Sequence, residues 1–65
     1  MRFKVELLSD YADENSVLQV SFATTLAHAK AEGIALQAES DDIDGFHIRD
    51  LDRSGRIVWT EKRYR

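Results

Sequence analysis

Thr25-Leu26-Ala27-His28-Ala29-Lys30-Ala31-Glu32-Gly33-Ile34-Ala35-Leu36-Gln37-Ala38 is the stretch where a chain that otherwise alternates every second residue changes its period. It is rich in alanine and filled out with Leu, Lys, Glu and Gln, all good helix formers. Leu26, Ala29, Gly33 and Leu36 recur at spacings of three and four and make one stripe. Ile34 and the remaining alanines widen that stripe, while Lys30, Glu32, Gln37 and Glu39 point in other directions, suited to water. The hydroxyl of Thr24 or Thr25 can accept from a backbone N–H that the first helical turn leaves without a partner. Gly33 inside the helix costs about 1 kcal/mol relative to alanine. Close approach of the helix to a sheet is the compensation expected, with a kink or an early end as the alternative. Ser40-Asp41-Asp42 ends the run.

Outward from this helix the period is two. Toward the N-terminus, Arg2 to Leu8 alternates, with Phe3, Val5 and Leu7 on one side and Lys4 and Glu6 on the other, which is the pattern of a half-buried strand. Ser9 to Asn15 is polar and turn-rich. Ser16 to Phe22 alternates again through Leu18, Val20 and Phe22, so a hairpin joins the two strands. Toward the C-terminus, Ile43 to Leu51 returns to strand character, Asp52-Arg53-Ser54-Gly55 is a turn, and Arg56 to Glu61 is rich in β-branched and aromatic residues. The order is β-β-α-β-β. The fold class is α+β: a single antiparallel four-stranded sheet with one helix packed on one face, and residues 1–65 form a single small domain.

The alternation also assigns faces. Phe3, Val5, Leu7, Leu18, Val20, Phe22, Phe46 and Ile48 go beneath the helix. Lys4, Glu6, Leu8, Val17, Gln19, Ser21, His47 and Arg49 go to the opposite face. The last strand adds Ile57 and Trp59 to one face and Val58 and Thr60 to the other, and the register alone decides which.

A chain of 65 residues buries only about 60% of its unfolded surface and needs a tight core or a partner for stability. It has no cysteine, so disulfides and thiolate metal sites are excluded. With 43% hydrophobic and 32% charged residues and no proline, it has the composition of a globular protein rather than a disordered one. No stretch nears the roughly 18 apolar residues of a membrane span, and no signal-peptide pattern opens the chain, so a cytoplasmic protein is expected. The net charge of −3 is unevenly placed. Residues 1–52 carry four basic groups against eleven acids. Residues 53–65 carry Arg53, Arg56, Lys62, Arg63 and Arg65 against Glu61 alone.

One local motif carries chemistry on its face. Asp50-Leu51-Asp52-Arg53-Ser54-Gly55-Arg56-Ile57-Val58-Trp59-Thr60-Glu61 resembles the twelve-residue calcium loop of the EF-hand family. Oxygen-bearing side chains stand at the first, third and fifth positions, glycine at the sixth and glutamate at the twelfth. That resemblance implies a calcium site flanked by two helices. The flanks here are an alternating, glycine-interrupted segment and a four-residue basic end, so a strand–turn–strand hairpin is the reading adopted and no metal or cofactor is expected. The acid run Glu39 to Asp44 reads as a solvated loop. His28 and His47 lack a third His or Cys to complete a metal site. No nucleophile elbow or phosphate-binding loop is present, so no catalytic residues are assigned.

What is left is binding. The expected function is that of a small non-catalytic binding or assembly module, a homo-oligomer or the mate of a protein partner, using the helix-free sheet face or an edge strand. Trp59, Leu8, Val17, His47 and Arg49 are the candidate partner-binding residues, provided that Trp59 lies opposite the helix. The alternative is a nucleic-acid-binding protein using Arg53, Arg56, Lys62, Arg63, Arg65 and Tyr64, against the repulsion of an acidic body. No membrane partner is expected.

Overall fold

The computed structural model describes residues 1–64, which form β1 (Phe3–Leu8), β2 (Val17–Ala23), α1 (Leu26–Ala38), β3 (Gly45–Asp50) and β4 (Arg56–Lys62). The four strands make one antiparallel sheet in the order β2-β1-β3-β4. β1 and β3 are central, β2 and β4 are the edges, and α1 packs across β1, β2 and β3. The core is Phe3, Val5, Leu7, Ala23, Ala29, Ile43, Phe46 and Ile48, with Leu26, Leu36 and Val58 packed at its margin. No helix among the described residues is long and apolar enough to cross a membrane.

Local chemistry accounts for the helix bounds. Thr25 is the N-cap, its hydroxyl accepting from the His28 amide at 3.1 Å. The stripe is built from small residues: Ala29 and Gly33 are its buried members. A Cβ placed on Gly33 would lie 2.5–2.7 Å from three ring atoms of Phe46, so the missing side chain is what lets α1 come down onto β3. Ile34 does not widen the stripe as its hydrophobicity suggests, because it is 49% exposed. Two of the polar residues, Lys30 and Glu32, serve the flanks of α1, while His28 and Glu39 face water. The Lys30 ammonium sits 3.6 Å from the centroid of the Trp59 ring, and Glu32 accepts from the Ser21 hydroxyl at 3.3 Å.

The register corrects the face assignment of β2. Val20 pairs with Glu6 and Phe22 with Lys4, whereas Ser21 pairs with Val5 and Ala23 with Phe3. Val20 and Phe22 therefore lie on the helix-free face, and Gln19, Ser21 and Ala23 lie on the side of α1; Leu18, the extra residue of a bulge, is exposed beside them. The large side chains beneath α1 come from the central strands β1 and β3, and β2 meets the helix through small residues, with Ser21 hydrogen-bonded to Glu32. A bulge where Leu7–Leu8 meets Val17 and Gln19 adds a residue at the start of β2, which puts Val17 opposite Leu8.

A second bulge lies in β4. Ile48 pairs with Trp59 and Arg49 with Ile57, so Val58 is the extra residue. It breaks the simple alternation of the last strand. Val58 packs against the core and Trp59 lies on the helix side beneath Lys30, while Ile57 and Thr60 share the helix-free face with Arg49 and His47. The condition placed on Trp59 is thus not met.

Candidate interaction surface

The helix-free face divides into three zones. At one end the loop of residues 9–16 folds back over the sheet. The Tyr11 amide donates to Asp44 Oδ2 and its hydroxyl to Thr60 Oγ1, both at 3.0 Å. The loop holds its own shape: Ser16 Oγ donates to the carbonyls of Asp10 and Asp13, whose carboxylates accept from the amides of Ala12 and Asn15. The Tyr11 ring occupies space that any side chain on Gly45 would need. Under the loop, Leu8 is 1% exposed, and a hollow of about 290 Å³ is bounded by Leu8, Tyr11, Glu14, His47, Ile57 and Thr60.

The middle zone is a charged cluster that spans the two central strands. Glu6 of β1 stands between Lys4 on its own strand and His47 and Arg49 on β3. Arg49 Nε donates to Glu6 Oε1 at 2.6 Å and its Nη1 to the Gly55 carbonyl at 3.0 Å. Lys4 Nζ lies 3.3 Å from Glu6 Oε2, and His47 Nε2 is hydrogen-bonded to Glu6 Oε1. Burial raises the Glu6 carboxyl, but the hydrogen bonds from Arg49, His47 and Lys4 outweigh it and hold the group down at about 2. An ionised carboxylate only accepts, so His47 Nε2 carries the proton of that bond. Glu6 and His47 are both buried, so this cluster organises the face from within.

The third zone is apolar and open. Leu18, Val20 and Phe22 follow one another along edge strand β2 at 55%, 39% and 50% exposure. Large apolar side chains exposed singly are ordinary, but a row of three on an edge strand is a candidate contact surface. Hydrophobicity alone sends these residues to the core, so sequence reasoning missed them. The signal that could have found them is the smallness of Ser21 and Ala23, the residues that fit beneath a close-packed helix.

The expected site residues are only partly brought together. Leu8, Val17, His47 and Arg49 share the helix-free face, with Leu8 and His47 buried, and Trp59 is on the other side of the sheet. The basic residues of the alternative reading are dispersed. Arg56 and Lys62 stand at opposite ends of β4, roughly 20 Å apart for a strand of that length. The Arg63 guanidinium donates through Nη1 to the carbonyls of Ser40 (2.6 Å) and Ile43 (2.9 Å), locking the α1–β3 connection. Arg53 Nε lies 3.6 Å from the Asp50 carboxylate. Lys62, Arg63 and Tyr64 do meet Ile34 and Gln37 around a hollow of about 630 Å³ at the C-terminal end of α1. Arg65 lies outside the described residues.

The segment that resembles a calcium loop is a hairpin connection. Leu51–Arg53 form a 3₁₀ turn, and Ser54 and Gly55 both take positive φ, 58° and 75°, to reverse the chain. Asp50 spends its carboxylate on the Arg2 guanidinium (Nε 3.1 Å, Nη2 2.9 Å) and on the Asp52 amide (3.0 Å). The hydrogen bond from Arg2 holds that carboxyl below its ordinary range, and burial does not overcome it. Glu61 pairs with Phe46, four residues along β3 from Asp50, so the first and last acids cannot converge. Among the described residues no three His, Asp or Glu side chains are grouped to hold a metal ion.

The class defined is α+β, one helix on a four-stranded antiparallel sheet. No protein family, curated protein or solved structure matches this chain.

Proposed function

We propose that this chain is a small, non-catalytic assembly module whose partner is a second copy of itself, engaged on the helix-free side at β2. The observation that carries this reading is the row Leu18, Val20 and Phe22, exposed on a strand whose outer edge is not paired within the sheet. Covering such a row gains about 25 cal/mol for each Å² of apolar surface removed from water, and a domain of this size has few other sources of stability. The charged cluster supports a positioning role for its residues: Glu6 is shared among Lys4, Arg49 and the His47 imidazole, and Arg49 also ties β3 to the turn at Gly55.

Sedimentation equilibrium from low to high micromolar concentration tests the reading. The apparent mass should rise from 7.5 kDa toward twice that value, and Val20→Lys should hold it at the lower figure. A wild-type mass of 7.5 kDa at every concentration would overturn it.

A further inference from the structure

The two sheet edges differ in a way that says how such a pair would form. Natural proteins defend edge strands with charges, bulges or short length, because an undefended edge pairs with another chain. β4, Arg-Ile-Val-Trp-Thr-Glu-Lys, carries Arg56, Glu61 and Lys62 and is bulged in its middle at Val58. β2, Val-Leu-Gln-Val-Ser-Phe-Ala, has no charged residue and no proline over seven positions, and its bulge is confined to its first two residues. One edge is defended and the other is not.

We infer that two copies join β2 to β2 antiparallel, with the two-fold axis at Val20, into one eight-stranded sheet ordered β4-β3-β1-β2-β2-β1-β3-β4. This rests on the self-association just proposed and adds its geometry. Antiparallel neighbours place directly opposed side chains on the same face. Centred on Val20, the pairing sets Leu18 against Phe22 of the second copy, Val20 against Val20, and Phe22 against Leu18. The apolar rows merge into one, and Gln19 meets Ser21 on the helix side. Shifting the centre by one residue in either direction sets Leu18 or Phe22 against a polar residue, Thr24 or Ser16, so this register alone keeps all three apolar residues, the bulged Leu18 included, opposite apolar partners. No like charges are opposed along the strand, since β2 has none. Both outer edges of the product are the defended β4, so assembly closes at two copies rather than growing into a fibre.

Cysteine cross-linking tests the geometry, because the wild-type chain contains no cysteine. Opposed residues of an antiparallel pair have Cα atoms roughly 4.5–5.5 Å apart, within disulfide reach. A mixture of Gln19→Cys and Ser21→Cys proteins under mild oxidation should give several-fold more covalent dimer than either protein alone. On wild-type protein, hydrogen exchange of the β2 amides should slow several-fold as concentration rises, which keeps the test open if a cysteine variant folds poorly. Preferential cross-linking of either variant with itself would overturn the register. A wild-type dimer with neither the mixed cross-link nor β2 protection would overturn edge pairing and leave self-association standing. A monomer at all concentrations would remove both.

Discussion

Replacing Gly33 by alanine sets two well-understood effects against each other. In an exposed helix interior the change stabilises by about 1 kcal/mol, because alanine loses less backbone freedom on folding. Here the new methyl would stand 2.5 Å from Phe46 Cε2, 2.6 Å from Cδ2 and 2.7 Å from Cζ, where carbon atoms rest at roughly 3.5–4.0 Å. Phe46 is fully buried between α1 and the central strands, so the ring cannot swing into solvent. The helix must therefore lift by roughly 1 Å, loosening Ala29 and Leu36 with it, and overpacking of this kind costs about 1–3 kcal/mol or more. The net expectation is a loss of up to about 2 kcal/mol, or a melting temperature lower by up to roughly 16 °C for a domain of this size. Urea denaturation followed through Trp59 fluorescence measures it. Gly33→Ala combined with Phe46→Leu should cost less than the sum of the two single changes, because the smaller side chain leaves room for the methyl. A Gly33→Ala protein more stable than wild type would refute the close-approach explanation of this helix.

Two further outcomes follow from the polar contacts. The Glu6 carboxyl ionises near 2 in the folded protein and near its ordinary 4.5 when unfolded. Its contribution is therefore fully present above pH 4.5 and is lost as pH falls through about 2. Glu6→Gln should lower stability at neutral pH by on the order of 3 kcal/mol and flatten the acid limb of a stability-against-pH curve, while an unchanged limb would contradict the assignment. Arg63→Ala should cost about 1–3 kcal/mol by chemical denaturation, because it strips the donor from the Ser40 and Ile43 carbonyls, and a cost near zero would mean those carbonyls find other donors.

Much of the fold was legible in the residues. The period change at Thr25, the alternation of Phe3, Val5 and Leu7, and the turn Asp52-Arg53-Ser54-Gly55 specify the β-β-α-β-β order and the bounds of α1, and Gly33 pointed to the close approach. The sheet faces were less legible, for physical reasons. A period of two says which residues share a side of one strand, but not which side faces the helix. In β2 the larger set, Leu18, Val20 and Phe22, suggested the core, yet the large side chains beneath α1 come from β1 and β3 and β2 contributes the small Ser21 and Ala23. In β4 the single extra residue at Val58 shifted every position beyond it, which moved Trp59 to the helix side. The candidate surface changed accordingly, from a patch around Trp59 to the outer row of β2. Leu8 and His47 were assigned to the correct face, but nothing in the polar loop signalled that Tyr11 would fold back over that face to reach Asp44 and Thr60.

The most direct measurement is a dilution series followed residue by residue in amide ¹H–¹⁵N spectra. Concentration-dependent shifts or broadening should be confined to β2, Val17 to Ala23, and to its cross-strand neighbours Lys4 and Glu6, with β4 and the exposed side of α1 unmoved. Spectra that do not change with concentration, or changes centred on β4, would contradict self-association at the undefended edge.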